Sequence, residues 1–120
     1  MRNVKLRVRK ILREINLDNK ATEYFAEMVD HCIKKNISTV DINVAGELFP
    51  IISKKYDTTP CAVKSSLIRA LKNSHKETDP ITYHNTLNYS KRISIKKLII
   101  ILTLKLRKEE DEKVVKRKKA

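Results

Sequence analysis

Lys64, Ser65, Arg69 and Lys72 stand on one side of a helical period in residues 60–74, and they are the groups with chemistry to offer. Val63, Leu67, Ala70 and Leu71 recur at 3–4 spacing and form the inward stripe, which turns the cations outward. Ammonium and guanidinium groups displayed in this way neutralise phosphates, and a guanidinium also reads a guanine edge through two hydrogen bonds. Their chemistry is recognition of a polyanion. Thr59, Cys61, Ala62 and Ile68 complete the outward surface. An apolar residue such as Ile68 on a reading face suits either a thymine methyl or a partner protein.

Catalytic and metal-binding alternatives lack their residues. His31, His75 and His84 do not pair with cysteines or carboxylates at metal-ligand spacing. Cys32 and Cys61 fit no metal or redox spacing; Cys32 falls on an apolar stripe and reads as a buried free thiol. No nucleophile stands beside a base. Gly46 is the single glycine, which removes glycine-rich phosphate loops and dinucleotide fingerprints. The expectation is a protein that is not an enzyme, with no metal, cofactor or small-molecule substrate.

The elements that must position this surface begin upstream. Leu48, Phe49, Ile51, Ile52 and Tyr56 mark the buried side of a short helix, and Lys54 and Lys55 at its end would lie near a DNA backbone. Asp57 sits where the turn needs an unusual backbone angle, which Asp and Asn tolerate. Thr59 then caps a new helix, and Pro60 at its first position surrenders an N–H that had no partner. Two helices on so short a turn predict a helix-turn-helix, with residues 60–74 sized for a major groove. Lys91, Arg92, Lys96 and Lys97 cluster at the entry to the last helix. Phosphate contact and an ordinary solvated face are equal readings of that cluster.

Around this pair the periodicity predicts more helices. Val4, Val8, Ile11, Leu12 and Ile15 trace the first, closing near Asn16. Asp18 or Asn19 caps the second, which runs through Tyr24, Phe25, Met28 and Val29 to a left-handed stop at Asn36. Val40 and Ile42 could pair briefly as a strand in a connector. The third helix spans residues 44–56 and is kinked or restarted at Pro50. A fifth opens on Thr78, Asp79 and Pro80, and Ser94 caps a sixth over residues 95–108. The fold class is therefore all-α, five to six helices around a helix-turn-helix. Residues 1–7 form a basic extension, 8–108 the domain and 109–120 a charged tail, expected as frayed helix or disorder.

The net charge of +13 is unevenly spread. Residues 1–13 hold six basic groups and no acid, residues 14–50 three basic against seven acidic, and residues 51–108 thirteen basic against three acidic. The excess sits in both arms and in the half that begins at the helix-turn-helix, which points to a polyanion partner. A merely lysine-rich soluble protein is the bland alternative. The apolar run at residues 98–102 is far short of the ~20 residues that cross a bilayer, and no apolar run follows the basic N-terminus. No membrane partner is expected, and the anticipated place is the cytoplasm, associated with the nucleoid.

The string from Leu48 to Leu71 resembles the C-terminal DNA-binding domain of the sporulation stage-zero A response regulators of endospore-forming bacteria. Leu48, Phe49, Pro50, Ile52, Ser53, Lys54, Lys55, Tyr56, Thr58, Thr59, Val63, Ala70 and Leu71 carry the likeness. Weaker similarity extends over residues 8–107. The resemblance implies a transcriptional regulator that binds double-stranded DNA, with a homodimer on DNA as one arrangement. It also implies altered specificity. Where the family places three outward arginines, this chain has Ala62, Ser65 and Ile68; Lys64 replaces a glutamate and Arg69 a histidine. The expected target therefore differs from the family's box. The family joins this domain to a phosphorylatable receiver. A chain that begins at the DNA-binding domain would be controlled by its expression level, a partner or dimerisation. The alternative is an interaction protein of the same fold that binds or titrates a related regulator.

Overall fold

A computed structural model describes the backbone of residues 3–119 and the side chains of residues 3–109. Six α-helices follow in order: α1 (Val4–Arg13), α2 (Lys20–Lys34), α3 (Phe49–Lys55), α4 (Pro60–Glu77), α5 (Pro80–Leu87) and α6 (Ile95–Lys119). A 3-10 turn, Thr39–Asp41, and a π-helical turn, Val44–Leu48, fill the span between α2 and α3. No strand occurs among the described residues, so the fold is all-α. Residues 110–120 of the charged tail fall outside the described side chains.

Helix α2 is the hub, packed against α1, α3, α4 and α6. Nine of its fifteen residues are buried, more than one amphipathic stripe would hide, because neighbours cover it on several sides. Phe25, Met28 and Val29 meet Val8 and Leu12 of α1, Ile52 of α3, Val63 and Leu67 of α4, and Leu98, Ile99 and Leu102 of α6 in one apolar cluster. Cys32 lies inside it, where burial pushes the thiol above its ordinary pKa and keeps it protonated.

Local chemistry sets the helix ends. The Asn19 side chain caps α2, in a reciprocal box with the Thr22 hydroxyl. Asn16, Asn36 and Asp57 adopt left-handed angles, with φ of 57°, 50° and 52°, at the three expected stops. Asn88 does the same after α5, a stop the periodicity did not mark. Pro50 falls in the first turn of α3, and the π-helical turn runs straight into that helix: Leu48 and Phe49 are both helical and the Phe49 N–H reaches the Val44 carbonyl, so only the hydrogen-bond register changes there.

Four expectations change. Ile51 is 38% exposed, because α3 buries Phe49, Ile52 and Ser53 and turns Ile51 toward solvent. Val40, inside the 3-10 turn, is exposed and Ile42, just after it, is buried, with no strand pairing. Helix α4 runs on to Glu77, since Ser74 is buried and anchors another turn. Helix α6 continues to Lys119.

Candidate nucleic-acid interface

Helix α4 is fixed at both ends before any of its outward groups matter. The Thr59 hydroxyl accepts the Ala62 N–H at 3.1 Å, so this exposed residue is held in a capping role. At the other end the buried Ser74 hydroxyl donates to the Ile15 carbonyl. The Asn16 amide donates to the Thr78 hydroxyl at 3.2 Å, which ties the end of α4 to the turn between α1 and α2. Upstream, the Thr58 N–H donates to the Ser53 carbonyl at 2.8 Å, closing the turn at Asp57, and Tyr56 packs edge-on against Tyr24 at 5.1 Å.

With Val63, Leu67, Ala70 and Leu71 buried, α4 presents Cys61, Ala62, Lys64, Ser65, Ile68, Arg69 and Lys72 to solvent. Lys64, Ile68 and Lys72 follow one another at four-residue intervals and form a ridge. Beside it lies a groove of about 370 Å³, walled by Ile68 and Leu71 on one side and Arg92, Ile93, Ser94 and Ile95 on the other. The fold thus brings the basic connector before α6 onto the same face as α4. Arg69 points elsewhere, into a smaller groove with Asn19 and Lys20 at the start of α2.

The connector is pinned. The Tyr83 hydroxyl accepts the Ile93 N–H at 3.1 Å. His75 Nε2 lies 3.2 Å from the Ser90 carbonyl, and His84 Nδ1 lies 2.8 Å from the Ser90 hydroxyl. His75 also packs edge-on against Tyr83. Burial raises the Tyr83 phenol above its ordinary value, so it keeps its proton. Lys97 Nζ sits 3.9 Å above the Tyr89 ring, leaving Lys91, Arg92 and Lys96 as the outward cations of this segment. Helical period and local motifs carry no sign of these pins, because they join residues six to fifteen apart across two helices and a connector.

Electrostatics separates this face from the rest. The six Lys and Arg ion pairs among the described residues take their cations from Lys5, Arg7, Arg9, Arg13, Lys34 and Lys55, and His31 Nε2 lies 3.4 Å from Glu47. None uses a cation from residues 56–108. Glu27 takes Lys5 at 2.7 Å and Lys55 at 2.8 Å on one carboxylate oxygen. Burial by itself would raise the Glu27 pKa; the two ammonium groups more than reverse this and hold it below the ordinary value. Lys55, expected beside DNA, is therefore drawn toward α1 and α2, while its neighbour Lys54 is exposed.

Among the described residues no group of three or more His, Cys, Asp or Glu side chains gathers as a metal site, and no helix is long and apolar enough to cross a membrane. No protein-family model matches this chain, and no curated protein matches it.

Proposed function

We propose that the protein is a sequence-specific, double-stranded-DNA-binding transcriptional regulator of the sporulation-factor type, acting on the nucleoid in the cytoplasm. In this reading α3, the turn at Asp57 and α4 form the helix-turn-helix, and α4 lies in the major groove. The supporting observation is the unneutralised charge: Lys64 and Lys72 flank Ile68 on α4, Arg92 lies across the groove beside it with Lys91 next in sequence, and none has an acidic partner among the described residues. Lys64 and Ser65 face the bases, with Arg69 the guanine reader at one edge. Lys54, Lys72, Lys91 and Arg92 take phosphates, and Cys61 and Ala62 enter the groove with the start of α4. The target differs from the family's box, since the three family arginines are replaced by Ala62, Ser65 and Ile68.

The exposed Ile68 favours a second reading, an interaction protein of the same fold that binds or titrates a related regulator. Recovery of genomic fragments on the immobilised full chain, at about 150 mM salt where nonspecific binding is weak, separates the readings. Enrichment of discrete sites supports a regulator. Uniform recovery means a nonspecific coating protein, and no recovery means a protein binder; either outcome overturns the proposal.

A further inference from the structure

Ile68 is 45% exposed, and on the Lys64–Ile68–Lys72 ridge it is the only apolar side chain. Cations at four residues on either side and Arg92 across the adjoining groove surround it. A partner helix docking here would need anchors at several successive turns, and α4 offers one exposed large apolar residue. The other exposed large hydrophobics, Leu6, Val40, Ile51, Ile81 and Leu104, stand on other elements. A polyanion that also satisfies an isolated isoleucine must carry an apolar group between its phosphates. In a nucleic-acid major groove the thymine C5-methyl is that group, and uracil lacks it.

We infer that Ile68 is a specificity-determining residue that reads a thymine methyl, selecting thymine-containing duplex DNA over its uracil counterpart. This rests on the DNA-binding reading above and adds to it the base identity under the centre of α4. Lys72 and Arg92 hold the backbone, Lys64 reaches a neighbouring base, and the Ile68 side chain excludes water from the methyl between them. The contact is apolar, so its contribution persists at salt concentrations that weaken the phosphate contacts.

The test uses the full chain. A random-core duplex library is enriched by binding, and the preferred duplex is resynthesised with deoxyuridine replacing each thymidine in turn. This changes neither charge nor base pairing. At one position of each bound site, loss of the methyl should weaken binding about fourfold, the equivalent of one buried methyl group. Ile68→Ala should bind both versions equally there, and Ile68→Val should retain part of the difference. If no position responds, or if the response persists in Ile68→Ala, the inference is overturned while duplex binding still stands. If no duplex is bound at all, the DNA reading fails and the inference falls with it, leaving Ile68 to a protein partner.

Discussion

The first two helices and the stretch from α4 to the start of α6 carry similar basic side chains and use them differently. In α1 and α2, Arg9 grips Glu23 with two hydrogen bonds of 2.8 and 2.6 Å, and Lys5 and Lys34 pair with Glu27 and Asp30. From α4 to the start of α6, Lys64, Lys72, Lys91, Arg92 and Lys96 are exposed with no acidic partner among the described residues. Exposed ion pairs contribute little to stability, so the pairing in the first half is chiefly neutralisation. The second half keeps its field. A cation count alone, nine in residues 1–50 against thirteen in residues 51–108, understates the contrast, because a cation already paired with a carboxylate is less available to a polyanion.

Salt gives the largest expected effect. If about six phosphates meet the unpaired face, log affinity falls against log salt with a slope of about −5, roughly a thousandfold loss between about 50 and 200 mM. Fluorescence anisotropy of a labelled duplex measures it. A slope shallower than about −2 would mean that the face holds too few phosphates for this reading. Next comes reversal of the ridge and the connector together. Lys64→Glu, Lys72→Glu and Arg92→Glu in one chain should cost about a hundredfold in duplex affinity at fixed salt. Arg13→Gln with Lys34→Gln, in the paired half, should change it by less than about twofold. Equal losses from both sets would erase the distinction between the halves.

Arg69 sharpens the comparison at its boundary, because its groove is shared with the α2 N-terminus rather than with the connector. As a guanine reader, Arg69→Ala should relax preference at one base position by about tenfold, within the 1–3 kcal/mol of a bidentate pair. Selection of bound sequences by wild type and variant would show it. A uniform loss across all sequences would make Arg69 a phosphate contact.

What was legible in the sequence was decided within a few residues. The caps at Asn19, Thr59, Asp79 and Ser94 and the left-handed stops at Asn16, Asn36 and Asp57 depend on local hydrogen bonds and backbone freedom. The inward stripe of α4 follows from helical period alone. Ile51 departs from the expected stripe because the π-helical turn ahead of α3 shifts the helical phase, and a seven-residue helix holds too few apolar positions to fix it. Lys54 and Lys55 are chemically identical neighbours, and only tertiary packing brings Glu27 within 2.8 Å of the second. The juxtaposition of Ile68 with Arg92 needed the whole path through α5 and the Ser90 pins. Composition had already placed the excess charge in that half, but not on one face.

Glu27 provides the smallest and most discriminating test, because one carboxylate joins the two regimes. It holds Lys5 of α1 and Lys55 of α3 while standing on α2, with 14% of its side chain exposed. Its folded pKa lies below the ordinary 4.5, so its stabilisation is fully present above that value. It is lost as pH falls through the lower folded value, when the native carboxylate takes up its proton. Glu23, held down by hydrogen bonds from Arg9, declines in the same direction. Glu27→Gln should therefore cost about 1–2 kcal/mol at neutral pH, since two cations lose their shared partner. Thermal melts should also show a smaller acid-induced loss of stability than in wild type. Duplex affinity should move the other way. Removing one negative charge and releasing Lys55 beside Lys54 adds cationic reach at the end of α3, worth about a threefold gain at low salt. A less stable protein that binds more tightly is difficult to obtain from general damage. If affinity stays level while stability falls, the lysines of α3 do not face DNA, and the binding surface begins at α4.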